Sequence, residues 1–308
     1  MKVDHVLILA AGKGTRMGSI GELLPKVIWP IFNKSILELE VCYAKRYAPD
    51  ANIFINLFNF KDIIKDFINK NIKYFEGVTV IEEAKEIDIG GAIHNMAKEV
   101  NYSGNLLIIN SDQFLFSEQK IVELGLEKLQ TADSVLFTYE VNQRDGYSTL
   151  DIRGDELKGI VANSELSKGS RAQTYTGMSL IRLEKLEEFQ GKSSFFKTIA
   201  NPKNNLVKTI EISGLEYWDF GTVNRYHESM FKTLSQTTSS FYNFLRKTKS
   251  IDIEKNFGQS YGGDAGINLT NESQSIGSLE ILLESADSND RDKNLKNIIL
   301  GKRVVTAN

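Results

Sequence analysis

Residues 5–10 (HVLILA) form an unbroken apolar run that ends in glycines, the mark of a strand buried on both faces. Similar runs recur at 53–57, 78–82, 106–110 and 134–141, and segments with helical spacing lie near 35–47, 60–70, 91–100 and 118–130. Strands alternating with helices predict repeated βαβ units and a mostly parallel sheet. Ligands of such sheets bind outside the carboxyl ends of the strands, which points first to the loops after Leu9 and Ile109. Beyond about residue 142 the pattern changes to short strands at 148–152, 157–162, 174–182 and 206–212, with two short helical patterns between 184 and 201. This reads as an added part of the same domain that covers the ligand-binding edge. One long helix is expected from Thr222 to about Lys247. Residues 251–308 are polar apart from LEILLE and NIILGKRVV, so the chain divides into a domain over 1–250 and an appendage or partly ordered tail over 251–308.

Composition narrows the partners. The 308 residues hold 37 Lys and Arg against 40 Asp and Glu, a formal charge of −3, whereas binding to a nucleic acid polymer needs a basic surface. A single nucleotide at one local basic site stays open. Cys42 is the only cysteine, which excludes an intramolecular disulfide and a Cys-rich metal site, and it reads as a small buried hydrophobe on a helix. No run reaches ~18 apolar residues, so no membrane association is expected and the protein is placed in the cytoplasm. His5, His94 and His227 form no metal spacing and read as structural or solvated.

The string LAAGKGTRMG follows the first strand. A dinucleotide fingerprint needs G-x-G-x-x-G, but Met17 stands at the third glycine; a P-loop needs glycine directly before the lysine and a hydroxyl residue after it, an order Lys13-Gly14-Thr15 lacks. Glycines at a strand end still let backbone N–H groups approach an oligophosphate, and Arg16 adds a fork of charged donors. A plain glycine turn with a solvent-facing arginine is the alternative.

LAAGKGTRMGSIGELLPKVIWPIFNKSILE resembles the opening of the sugar-1-phosphate nucleotidyltransferases, LAAGxGTRL followed by PKPLLPVxGKPLIE, with matching spacing from Arg16 to Pro25-Lys26. Ser19, Asn33 and Ser35 depart from the pattern at turn positions. The resemblance continues through VIEEAKEIDIGGAI, IINSDQF, TYTGMSLI and EYWDFGT, the last similar to WxDxGT with Tyr217 for tryptophan, and covers about residues 1–230. It implies a Rossmann-like, mostly parallel mixed sheet flanked by helices, the nucleotide-diphospho-sugar transferase fold, with a small C-terminal appendage. It also implies catalytic roles for Arg16, Lys26, Asp112 and Asp219. Leu9, Ala11, Gly12, Gly14, Thr15, Glu83 and Gly91 would meet the nucleotide, and Gly146, Glu165, Thr176 and Gly177 the sugar. Mg²⁺ would be held by Asp112 and Asp219. The family's basic residue before WxDxGT is absent from ISGLEYWD, and Leu166 stands where a lysine grips the sugar phosphate, with Lys168 or Arg171 as substitutes.

The implied reaction is attack of a sugar 1-phosphate on the α-phosphate of an NTP, giving an NDP-sugar and pyrophosphate. Two anions must meet, so positioning and charge neutralisation provide most of the catalysis. Mg²⁺ takes carboxylate and phosphate oxygens, which suits two aspartates. The bland alternative for each acid is a helix N-cap. The segments TYTGMSLI and IDIGGAI lean towards mannose-, heptose- or N-acetylmuramate-type phosphates. Two competing functions share the fold: a cytidylyltransferase acting on a phosphoalcohol such as phosphocholine, and a nucleotide-binding regulatory protein without turnover. A homo-oligomer formed through the C-terminal part is a further expectation.

Overall fold

The structure, a computed structural model, describes residues 1–117, 120–141, 148–161, 172–251, 267–270, 281–283, 297–300 and 303–307. Strands β1 (His5–Leu9), β2 (Asn52–Leu57), β3 (Val78–Glu82) and β4 (Asn105–Asn110) run parallel in the spatial order β3-β2-β1-β4. Helices α1 (Ile36–Tyr47), α2 (Lys61–Lys70) and α3 (Asp88–Glu99) connect them. Alternate residues of β1 enter different cores: Val6 and Ile8 pack with residues of α1 and α2, Leu7 with residues of α3. Burial on both faces explains why these strands read as continuous apolar runs. The capping box predicted by no apolar pattern, Ser35 with Glu38, fixes the start of α1.

The chain beyond β4 extends this sheet. A short strand β5 (Gln113–Phe116) and helix α4 (Ile121–Leu129) precede β6 (Ser134–Val141), β7 (Thr149–Arg153), β8 (Glu156–Val161), β9 (Ala172–Arg182) and β10 (Val207–Glu211). The full order is β3-β2-β1-β4-β9-β6-β10-β8-β7, a mixed sheet in which β9 and β8 run against their neighbours. The segments past 142 were expected to cover the ligand-binding edge; they add strands to the sheet instead, because their own edges need pairing. Gly146 and Glu165 lie outside the described residues, as do Lys168 and Arg171.

The expected single helix from Thr222 to Lys247 is two helices, α5 (Val223–Ser235) after strand β11 (Glu216–Asp219), and α6 (Ser240–Lys247). The break falls in the run QTTS, where hydroxyl side chains compete with the helix for backbone groups. Ser239 caps α6 through Tyr242 N–H, and the Glu216 carboxylate accepts from the Ser240 and Phe241 N–H groups. Among the described residues no helix is long and apolar enough to cross a membrane.

Four short strands, β12 (Ile267–Asn268), β13 (Ile281–Leu282), β14 (Asn297–Leu300) and β15 (Arg303–Thr306), form a separate sheet. The first three stack in parallel and β15 folds back antiparallel on β14. Ile267, Ile281 and Ile298 occupy equivalent stacked positions and are buried. The described residues of both apolar strips of the tail thus include strands. Val305 of β15 reaches the N-terminal glycine loop: a Cβ placed on Gly18 would lie 2.9 Å from Val305 Cγ1.

Gly18 also has φ 60°, a conformation side chains rarely adopt. Gly18→Ala is expected to lower stability by about 1–3 kcal/mol. Val305→Ala should relieve the steric part of that loss, so a double-mutant cycle on thermal denaturation should show coupling between the two sites. Strictly additive changes would contradict the contact.

Candidate active site

A cleft of about 440 Å³ opens at the carboxyl ends of β1, β2 and β4. Leu9, Ala11, Gly12, Arg16, Lys26, Asn56, Glu83 and Asp112 are among the residues that line it, with Asn56 paired beside Leu9 on the neighbouring strand. Gly12 lines the cleft with open space around it, no atom lying within 4 Å of a Cβ placed there. Gly14, at φ 65°, starts the short 3₁₀ turn Thr15–Met17 that carries Arg16, which is exposed. A second turn, Lys26–Ile28, starts from Pro25 and aims the Lys26 ammonium at the Asp112 carboxylate, with both side chains largely buried. The cleft therefore combines a glycine-containing loop with a fixed cation.

The two aspartates come from distant parts of the chain and meet through backbone pairing. Asp112 sits in the turn between β4 and β5, and β5 pairs antiparallel with β11 so that Asp219 lies opposite Gln113. The Phe220 N–H donates to the Asp112 carbonyl at 2.8 Å, extending the ladder by one step. Gly221 follows, and a Cβ there would lie 2.9 Å from both Asp112 Oδ2 and Asp219 Oδ1. The two carboxylates thus converge on a position that only glycine leaves open. Arg225, in the first turn of α5, donates to Asp219 Oδ2 at 2.7 Å, and the Gly221 N–H donates to Asp219 Oδ1 at 2.7 Å.

Glu83 is buried beside the cleft. Asn56 Oδ1 accepts from the Ala10 N–H at 2.9 Å, which turns Asn56 Nδ2 toward Glu83 Oε1, 2.6 Å away. Burial raises the Glu83 carboxyl above its ordinary value, and the Asn56 hydrogen bond partly offsets this.

Comparison with known proteins places the chain in a family. The sequence pattern described as "Nucleotidyl transferase" matches residues 5–236. The chain belongs to the nucleotidyl transferase family. The bifunctional protein GlmU of Acinetobacter baylyi is 28% identical over 193 residues, 61% of this chain but 40% of that protein, so this chain matches less than half of that relative's length. HddC from Yersinia pseudotuberculosis, solved in complex with GMP-PN, is 25% identical with a TM-score of 0.60, covering 74% of this chain and 99% of that one. A UDP-glucose pyrophosphorylase solved with UDP-glucose shares the fold at 16% identity and a TM-score of 0.60, covering 76% and 99%. The resemblance read from LAAGKGTRMG and the later segments is borne out at the level of the family, as is the fold it implied.

Within this family frame the structure gathers some of the named residues and separates others. Leu9, Ala11, Gly12, Arg16, Lys26, Glu83 and Asp112 line the cleft. Asp219 stands next to them through Asp112 and Gly221. Thr15 is exposed on the loop outside the cleft lining, and Gly14 shapes the turn. Gly91 lies on α3 facing away: a Cβ there would meet the Gly191 carbonyl at 2.4 Å. Thr176 is wholly buried, its hydroxyl donating to the Phe137 carbonyl at 2.9 Å, so its side chain braces β6. Gly177, at φ 84° in an irregular stretch of β9, lies hard against Asn110 and Gln113 of the cleft lining. Neither aspartate is a helix N-cap. α4 begins only at Ile121, and Thr222 caps α5 by accepting from the Arg225 N–H.

Two contributors escaped the sequence reading. Glu40 on α1 is fully buried, and burial first, then the nearby Asp112 carboxylate, push its carboxyl well above the ordinary range. Its signal was an acid on the apolar stripe Ile36, Leu37, Val41 and Ala44. Arg225 had no pattern of its own beyond its place one turn after Thr222. The histidines are structural: His5 pairs with the Ser103 carbonyl, and burial pushes His94 down to about 4, so its ring stays neutral. Cys42 lies on α1, partly buried against the core.

Gly221→Ala is expected to push the two carboxylates apart and lower turnover about 100-fold, with the far-UV circular dichroism retained. Gly12→Ala, whose methyl group meets nothing, should leave the melting temperature unchanged. Wild-type turnover in Gly221→Ala would contradict the convergence.

Proposed function

We propose that this protein transfers a nucleotidyl group from an NTP to a sugar 1-phosphate. A phosphate oxygen of the sugar 1-phosphate attacks the α-phosphorus, the bond to the β-phosphate oxygen breaks, and pyrophosphate leaves with its electron pair. The observation that carries this reading is the convergence of Asp112 and Asp219 around Gly221, beside a glycine loop and a fixed lysine. In this reading the loop over Gly12 and Gly14 binds the triphosphate through backbone N–H groups. Arg16 neutralises the leaving pyrophosphate, while Lys26, held by Asp112, faces the α-phosphate and stabilises charge as it develops. Residues 1–250 carry the chemistry, and Val305 of β15 braces the loop.

The donor set fits a divalent cation such as Mg²⁺. Asp112 and Asp219 offer hard oxygen ligands on either side of a position that carries no side chain, and one or two carboxylates plus substrate phosphates is a usual Mg²⁺ shell. When bound, the cation supplies Lewis-acid neutralisation of phosphate charge. Lys26 and Arg225 each pair with one of the two carboxylates, so the acids keep their orientation before substrates arrive.

The test is pyrophosphate release from each of the five common NTPs with a panel of sugar 1-phosphates and Mg²⁺. Release that requires one NTP and one sugar phosphate is expected. Lys26→Ala and Asp112→Asn should each lower turnover by about 100-fold or more, and Lys13→Ala, whose exposed ammonium pairs with Glu86, by only a few-fold. Turnover with phosphocholine alone would move the protein to the phosphoalcohol reading, and nucleotide binding without release in any combination would make it a regulatory protein.

A further inference from the structure

The phosphate chemistry leaves Glu83, a buried acid of the cleft lining, unused. Glu83 is 5% exposed, yet it lines the cleft and, among the described residues, its carboxylate faces no cation and has the Asn56 amide as its one hydrogen-bond partner. That amide cannot turn round, because its oxygen is committed to the Ala10 N–H. Glu83 Oε1 is therefore an acceptor there and keeps a second lone pair, and Oε2 has no hydrogen-bond partner among the described residues. A buried carboxylate with open acceptor sites and no cation costs stability unless a ligand supplies donors. It also sits one relay step from the strand end that opens the glycine loop, so whatever it binds lies within one nucleotide's reach of the triphosphate wall.

Among nucleobases, donor patterns differ on the edge that a carboxylate can grip. Guanine presents two adjacent donors, N1–H and N2–H. Uracil and thymine present one N–H between two carbonyls, which a carboxylate repels; adenine and cytosine present one amino group beside a bare ring nitrogen. An ionised carboxylate is acceptor-only, so one base satisfies both of its oxygens. We infer that Glu83 reads the N1–H and N2–H edge of guanine, making this site selective for GTP among the NTPs. This rests on the nucleotidyl-transfer reading for the place of the base, but the selection itself follows from the Ala10–Asn56–Glu83 relay. Two parallel N–H donors to one carboxylate also give the short, directional pairing seen wherever such forks meet carboxylates.

Equilibrium titrations of the full chain with GTP, ITP and UTP test this without turnover. ITP lacks only the 2-amino group of guanine. GTP should bind about 10- to 100-fold more tightly than ITP, since one hydrogen bond to a charged group is lost, and more tightly still than UTP. Glu83→Gln keeps the shape and the Asn56 contact but presents a donor as well as an acceptor. It should weaken GTP, improve UTP, and shift KM far more than kcat, because the base edge is remote from the reacting phosphorus. Equal binding of GTP and ITP by the wild type would overturn the inference. So would a Glu83→Gln protein that lost all three nucleotides by the same factor, since that is what a purely structural relay would do. GTP selectivity in binding without pyrophosphate release would leave the inference standing and overturn the transfer reading instead.

Discussion

The site depends on one short backbone ladder. β5 and β11 are four residues each, and their pairing sets Asp219 opposite Gln113 and the Phe220 N–H on the Asp112 carbonyl. A two-stranded ribbon of that length is marginal in water by itself. An aromatic layer supports it here. Phe114 and Phe116 of β5 pack with Phe241 and Phe244 of α6, and Trp218 stacks on Phe241 at 4.7 Å. Tyr43 completes the outer side of β5, its hydroxyl both donating to the Leu115 carbonyl at 2.7 Å and accepting from the Leu115 N–H at 2.9 Å. A tyrosine from α1 thus does the work of a third strand.

The same layer ties the acids to the rest of the fold. Glu216, at the start of β11, accepts from the Trp218 indole and from the first N–H groups of α6, so the helix end and the ladder share one carboxylate. At the other end Arg225 and Lys26 each hold one aspartate, so neither carboxylate stands alone in a largely buried setting. Mutual repulsion between the acids is countered by cations from two different elements. The charge pattern is thus arranged before any ligand enters, which is the economy of a preorganised site.

The parallel half of the sheet was legible because strands buried on both faces leave long apolar runs that need no partner to identify them. The glycine loop was legible as glycines at a strand end, while Lys26 stood out only through the family resemblance. The ladder was not. QFLF and EYWD are too short for any period to register, and each becomes a strand only because the other, a hundred residues away, pairs with it. Thr176 and Gly91 were drawn from segment likeness, and the structure turns both toward packing roles: side-chain direction inside a segment depends on the irregular stretch of β9 and on the Gly191 carbonyl, neither of which shows in the local sequence. Glu40 lay in plain view as an acid on an apolar stripe, but a buried acid has meaning only once its neighbour Asp112 is placed.

The central claim is that Asp112 and Asp219 act as one unit joined by the ladder. A double-mutant cycle on kcat/KM with Asp112→Asn, Asp219→Asn and the double variant measures that directly. Groups that act as a unit are strongly non-additive. The double variant should therefore be about as slow as the slower single variant. Losses that multiply, with the double variant slower by the product of the two single effects, would contradict the account and make the two carboxylates independent contributors.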